Sequence, residues 1–243
     1  MPGPILFARY AFGPNRLGYC GTDDHAAVLQ HGAAHEERPL RQLARTFEGA
    51  FPYLELIARA NGIADPLDTR VVEAYWLGNG LSARVEPGPM QRSLDERFRR
   101  RLEPATWRWL EATVPAGARP VHAFHVLDVF PRVGLLRGEQ ADDVLRVMDS
   151  CRIRWGRVRA VTDGSLVVDA PRLVMADGRL GIGAAQQEVV ERWVDGIGFV
   201  SDVLPGDVVS IHWGWACDRL SSRQLANLQR WTAFELGVAN RAL

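Results

Sequence analysis

The sequence predicts an α+β protein: a mainly helical N-terminal domain over residues 1–149, then a small β-barrel with a C-terminal helix over residues 150–243. Before residue 150, apolar residues recur at three- and four-residue steps, as they do along one face of a helix. After residue 150, polar and apolar residues alternate, and Asp-Gly and Pro-Gly pairs separate short segments. This change of period indicates a domain boundary.

The composition is that of an ordinary globular protein. The chain has 243 residues, of which 47% are hydrophobic and 24% charged, and this excludes disorder over most of its length. There are 29 basic and 29 acidic residues, and every basic one is arginine. A net charge of zero argues against a protein that binds long nucleic acids, because such proteins need a surplus of positive charge.

Nothing in the sequence predicts a membrane protein or a secreted one. No stretch approaches the roughly 20 apolar residues of a membrane helix. Residues Met1–Phe7 lack the basic and apolar regions of a secretory signal. Three cysteines, Cys20, Cys151 and Cys217, give no disulfide framework, so we expect a cytoplasmic protein with free thiols.

The helical half divides at proline and glycine. One helix is expected over residues 37–60, kinked at Pro52 and ended by Asn61-Gly62. Asp65-Pro66 is typical of a helix start, and the helix that it opens should end before Gly78. A third helix should run from about Pro89 to Leu102, break at Pro104 and resume to Ala112. Residues Val121–Phe130, rich in β-branched and aromatic side chains, predict a strand or an extended segment.

The second half has the pattern of a small OB-like barrel. Cys151 should open its first strand, and Ser221-Ser222 should cap the final helix. Turns are expected at Asp163-Gly164, Asp177-Gly178 and Pro205-Gly206-Asp207, and the last of these precedes the clearest strand, Val208–Trp213.

Cys151 and His212 are the first candidates for chemistry. A thiolate and an imidazole together make a strong site for a transition metal, and sulfur ligation suits iron that carries strong-field ligands. On residue types alone, both side chains fit equally well into the core of the barrel.

Two segments resemble the HypC/HupF family of [NiFe]-hydrogenase maturation chaperones. Residues Cys151–Val158, Cys-Arg-Ile-Arg-Trp-Gly-Arg-Val, are similar to the Cys-containing opening of that family. Residues Leu204–Ala216 resemble its Gly-Asp-(Tyr/Trp)-Val-Leu-Val-His-x-Gly-Phe-Ala signature, with Gly206, Asp207, His212 and Gly214 at the matching positions. The resemblance covers about two fifths of the chain, from residue 150 to the C-terminus.

The resemblance implies a function in binding and delivery, with no turnover. In that family the Cys and the signature His help to hold an iron centre with CN⁻ and CO ligands, together with a scaffold protein. The iron group is then delivered to the precursor of the hydrogenase large subunit. When the family's motif is matched to this sequence, the resemblance assigns these ligand roles to Cys151 and His212. Gly206 and Asp207 match the turn that precedes the strand with His212. A homo-oligomer is left open.

The sequence also departs from the family pattern. The family Cys lies at the extreme N-terminus, whereas Cys151 follows 150 residues, and this removes a free α-amino group as a neighbour. Trp155 and Trp215 replace a proline and a phenylalanine, and insertions around Gly181–Gly198 separate the two motifs. Cys217, five residues after His212, is expected to be a buried core residue, with a ligand role near His212 as the alternative.

Other residues keep alternative functions open. Cys20, with the following Asp24 and His25, is predicted to lie in a helix-capping loop, in a different site from Cys151. On a strand, His122 and His125 would point to opposite faces, as core histidines or as a second ligand set. The second hypothesis is therefore an enzyme in which Cys20 or Cys151, with His122 or His125, is an activated nucleophile or a metal site. The third is an interaction module without metal.

Overall fold

A computed structural model describes residues 1–129 and 141–241. The helices of the first half are α1 (Gly3–Arg16), α2 (His25–Ala33), α3 (Glu37–Ala44), α4 (Phe51–Ala60), α5 (Thr69–Trp76), α6 (Gly80–Ala83), α7 (Pro87–Phe98), α8 (Pro104–Glu111) and α9 (His122–Phe124), which continues into a π-helical turn (His125–Val129). Helix α10 (Ala141–Cys151) leads into the strands β1 (Arg154–Val161), β2 (Ser165–Ala176), β3 (Arg179–Glu191), β4 (Trp193–Val194), β5 (Ile197–Gly198), β6 (Val208–His212) and β7 (Trp215–Arg219), and α11 (Ser222–Ala239) follows.

Five strands close into a barrel in the order β1-β2-β3-β7-β6, and β6 pairs with β1. All neighbours are antiparallel except β3 and β7, which meet in parallel at Glu191 and Trp215. Strands β4 and β5 form a separate small hairpin. The predicted α+β class, with a helical first half and an OB-like barrel followed by a helix, is confirmed.

Residues at turns and at a helix start explain where several elements of the second half begin and end. Asp177 and Gly178 connect β2 to β3 with φ values of 51° and 72°, the backbone of a type I′ hairpin turn. Ser221 caps α11 through a capping box, in which its hydroxyl and the side chain of Gln224 each bond to the other residue's backbone N–H. Both features were predicted.

Helix α1 was not predicted from the sequence. Its residues from Gly3 to Asn15 are buried on nearly every side, apart from the half-buried Arg9. A helix that is apolar all round lacks the one-sided pattern by which helices are found in a sequence. Pro14 lies inside its last turn.

Four further boundaries differ from the prediction. The helix expected over residues 37–60 is two helices, since Pro52 lies in the first turn of α4. Helix α5 begins at Thr69 with Asp68 as its cap, three residues after the predicted Asp65. Residues 122–129 are helical where a strand was expected, and Phe130 lies outside the described residues. Cys151 ends α10, and the first strand begins three residues later.

One hydrophobic cluster runs through both halves of the molecule. It joins residues of the helical part, such as Ile5 and Trp76, to barrel residues such as Val158 and Ile211. Helix α1 packs against β6 and β7 and so connects the helical half to the barrel. The switch from helices to strands lies at the predicted place, although the two halves share this core. The division into domains at residues 149 and 150 stays a prediction.

Gly13 lets α1 approach the β6–β7 hairpin closely. A Cβ atom at this position would lie 2.4 Å from the carbonyl oxygen of His212 and 3.1 Å from the Cβ of Trp215. No side chain fits there without movement of the hairpin, which carries one of the candidate ligands.

We therefore expect Gly13→Ala to destabilise the protein by about 1–3 kcal/mol, as overpacking of a core does. The matched control is Gly88→Ala in α7, where the added Cβ would have its nearest neighbour, Nη1 of Arg92, at 3.6 Å. This control should be neutral or stabilising by up to about 1 kcal/mol. Urea unfolding of the two variants measures the difference, and equal stabilities would contradict the close approach.

Candidate metal centre

Three ligand-type side chains from separate elements meet between the two halves. His122 of α9, Cys151 at the end of α10 and His212 at the end of β6 offer ligand atoms that all lie within 4.8 Å of one another. His122 and His212 are 5% and 1% exposed, and Cys151 is partly buried. The ring of Trp76 packs against both imidazoles, with centroid distances of 4.8 and 5.7 Å.

A tight turn brings His212 to Cys151. His212 pairs with Trp215 across a two-residue turn, in which Trp213 and Gly214 have φ values of 53° and 73°. This is the type I′ geometry, in which a bulky residue such as Trp213 is strained. The backbone N–H of Trp213 donates to the carbonyl of Ser150 at 2.9 Å. That bond ties the tip of the hairpin to the last turn of α10, next to Cys151.

The hydrogen bonds of His212 fix which nitrogen is available. Its Nδ1 lies 2.7 Å from the carbonyl oxygen of Tyr10 on α1, and since a carbonyl only accepts, Nδ1 carries the proton. Nε2 is then the nitrogen with the free electron pair, and within the described residues it has no hydrogen-bond partner. An imidazole that donates one N–H to a backbone carbonyl and leaves the other nitrogen free has the arrangement of a metal ligand.

The hydrogen bonds of His122 likewise show which of its ring nitrogens carries the proton. Its Nε2 lies 2.8 Å from the carbonyl oxygen of Cys151 and must donate to it. Nδ1 is then the acceptor, and the Tyr75 hydroxyl donates to it at 3.2 Å. A metal ion at Nδ1 would displace only this hydroxyl bond, while the bond to Cys151 would continue to orient the ring.

Burial keeps all three groups neutral in the metal-free protein. It lowers the pKa of His122 to about 4 and, together with the neighbouring His122, lowers the pKa of His212 well below its usual range. Burial also raises the pKa of the Cys151 thiol to about 12, an effect that the indole N–H of Trp213 partly offsets. Neutral imidazoles are ready to bind a cation, and a bound cation would expel the proton of the thiol.

The cluster forms one wall of a cavity of about 220 Å³. Most of the other lining is apolar and aromatic, and includes Phe47, Ala50, Tyr75, Trp76 and Val147. The lining among the described residues contains no carboxylate. Cys20 and His125 also line this cavity. A small group bound here would therefore meet nitrogen and sulfur donors in surroundings that otherwise contain few polar atoms.

The loop between α1 and α2 borders the cavity. Tyr19 stacks on Trp213 with ring centroids 3.9 Å apart, and the neighbouring Cys20 is exposed. The buried side chain of Asn15 donates to the carbonyls of Cys20 and Thr22, both at 2.8 Å, and so holds the loop. Asp24 caps α2 by accepting from the N–H of Ala27, in agreement with the predicted capping loop.

The structure brings some predicted site residues together and separates others. Cys151 and His212 do meet, as the sequence predicted. Cys217 does not join them: it is fully buried in the hydrophobic core, where its thiol donates to the carbonyl of Trp215 at 3.5 Å. Cys20 and Cys151 were predicted to lie in different sites, and Cys20 is not part of the three-residue cluster, although both cysteines line the same cavity.

The predicted turn residues lie next to the His strand. Gly206 has a φ of 98°, which favours glycine, and the Asp207 carboxylate accepts from the N–H of Leu204 at 3.0 Å. Gly214 provides the second position of the β6–β7 turn. These residues shape the backbone before and after His212 and have no ligand role of their own.

His122 is the ligand that the sequence analysis placed wrongly. An assumed strand sent His122 and His125 to opposite faces, but in the helical segment that actually forms, residues three apart share a face and both line the cavity. The spacing of the two histidines was therefore a usable signal. The proline and the β-branched residues around them favoured the two-residue period of a strand, whereas the segment forms a helix.

Fold and site together define an α+β protein with a candidate transition-metal centre between a helical half and a small barrel. The chain belongs to DUF6390, a family of unknown function whose model matches residues 1–243. No curated protein and no solved structure shows a significant match to it. Among residues 1–129 and 141–241, no helix combines the length and apolar character needed to cross a lipid bilayer.

The three thiols should react in order of exposure. Iodoacetamide added to the metal-free native protein should alkylate the exposed Cys20 first, the partly buried Cys151 more slowly, and Cys217 only after unfolding. Mass spectrometry of time points gives the order. Alkylation of Cys151 at a rate equal to that of Cys20 would contradict the burial of Cys151 in the cluster.

Proposed function

We propose that the protein is a metal-binding accessory protein of [NiFe]-hydrogenase maturation, which holds an iron group through His122, Cys151 and His212 and passes it on without turnover. The observation that carries this proposal is the convergence of Cys151 and His212, together with a third donor, in one cavity. These are the two residues on which the resemblance to the HypC/HupF chaperones places the ligand roles.

The donor set suits a transition metal. One thiolate and two imidazoles are soft and borderline ligands, which favour iron, zinc or copper over magnesium or calcium. Three protein ligands also leave coordination positions open towards the cavity, where a metal can hold or exchange further ligands. Iron with CN⁻ and CO ligands, bound as cargo, would place those small ligands in the apolar part of the cavity.

The alternative of an enzyme with a thiol nucleophile is less well supported. Such an enzyme needs a thiolate, which is usually produced by a neighbouring imidazolium or another cation. Here burial raises the pKa of Cys151 and lowers the pKa of His122 and His212, so the cluster contains a thiol and two neutral rings. These are the protonation states of side chains that can bind a metal ion rather than of an activated nucleophile.

The partners in this proposal follow from the resemblance. They are the precursor of the hydrogenase large subunit, which would receive the iron group, and a scaffold protein of the maturation machinery. The cytoplasm is the compartment in which we propose that this transfer takes place.

Infrared spectroscopy of protein purified anaerobically from its native host tests the proposal. We expect CN⁻ and CO stretching bands that disappear in Cys151→Ala and weaken in His212→Ala and His122→Ala, because each variant removes one ligand. Cys217→Ala, which lies outside the cluster, is the matched control and should keep the bands.

The same variants should lower hydrogenase activity in the host in the same order. If the native protein carries no such bands, and if the Cys151 and His212 variants still support full hydrogenase maturation, the proposal is wrong.

A further inference from the structure

We propose that Cys20 supplies a second thiolate to the centre, so that a divalent transition-metal ion bound here is held by Cys20, His122, Cys151 and His212 of the same chain. This inference deepens the proposed function and rests on the part of it that places metal at the three-residue cluster.

Two independent observations point to a ligand at this place. Cys20 lines the same cavity as Cys151 but is not part of the three-residue cluster, so a change of its rotamer or a small shift of its loop must bring the thiol to a bound ion. His212, 1% exposed, lines the same cavity with an Nε2 that has no hydrogen-bond partner in the described part of the chain. A buried imidazole nitrogen without a partner is costly unless a ligand satisfies it.

The loop around Cys20 is built to hold its position. Asn15, which is fully buried, donates to the carbonyl of Cys20 itself and to that of Thr22. Gly21 has a φ of 89°, and a Cβ there would lie 2.4 Å from the ring of Phe47. Glycine therefore allows the loop to lie directly on a wall of the cavity, and the Tyr19–Trp213 stack holds its other side.

Charge provides the reason for a second thiolate. A divalent ion bound to one thiolate and two neutral imidazoles keeps a net charge of +1, in a cavity whose described lining has no carboxylate. Leaving a net charge in apolar surroundings is unfavourable. Loss of a second thiol proton to solvent makes the site neutral and completes the four-coordinate S₂N₂ set that zinc and similar ions adopt.

The four ligands would differ in how firmly they are held. His122, Cys151 and His212 lie on helices and a strand, whereas Cys20 lies on an exposed loop. Cys20 is therefore the ligand that can leave most easily, and its departure would open the centre towards the surface.

Binding of Co²⁺ to the purified, metal-free full-length protein tests the inference. Wild type should bind one ion and show a near-ultraviolet sulfur-to-cobalt charge-transfer band, whose intensity follows the number of thiolate ligands. Cys20→Ala should lose about half of this band, since one of two sulfur ligands is removed. Cys151→Ala should lose at least as much, and Cys217→Ala, the third cysteine, should keep the full band. Thermal unfolding of each variant shows that it is folded.

The possible results separate this inference from the proposed function. If Cys20→Ala keeps the wild-type band while Cys151→Ala loses all of it, Cys20 is not a ligand, and the three-residue centre remains. If wild type shows no sulfur-to-cobalt band, the centre itself is absent, and both the inference and the metal-binding proposal are wrong.

Discussion

The contact between helix α1 and the β6–β7 hairpin is the constraint on which the rest of the structure depends. Gly13 lets the helix lie against the carbonyl of His212, and the Tyr10 carbonyl accepts the Nδ1–H of the same residue. One residue of the barrel is thereby fixed in position, in tautomer and in orientation by the first helix of the chain. Without α1, the barrel would carry His212 with neither the hydrogen bond that orients it nor the wall that encloses it.

The centre is consequently a product of both halves. The barrel contributes His212, α9 contributes His122, α10 contributes Cys151, and the loop after α1 brings Cys20 to the same cavity. Burial holds the imidazoles and the Cys151 thiol neutral until a cation arrives, and each histidine is already oriented by a backbone carbonyl. This arrangement explains why a small barrel would be joined to a helical domain: the barrel alone offers only one of the three clustered donors.

The sequence predicted the barrel well because its turns are local. Asp177-Gly178 and the Ser221 cap each depend on a few neighbouring residues, and so does the His212 strand after Pro205-Gly206-Asp207. Helix α1 was not predictable by periodicity, because burial on all sides removes the polar face. His122 was misplaced because the β-branched residues around it favour a strand in isolation, and packing against α11 and α10 imposes a helical turn instead. The pairing of Cys151 with His212 came from the resemblance, and their joining with His122 depends on tertiary contacts that no local pattern contains.

The central claim is that His122, Cys151 and His212 bind one metal ion. X-ray absorption spectroscopy at the absorption edge of the metal tests this claim most directly. For protein loaded with one equivalent of Zn²⁺, the account predicts sulfur at about 2.3 Å and imidazole nitrogen at about 2.0–2.1 Å in the first shell. In His122→Ala and His212→Ala, the imidazole contribution should decrease while the sulfur remains. A first shell of oxygen and nitrogen without sulfur, or one that neither histidine variant changes, would contradict the account.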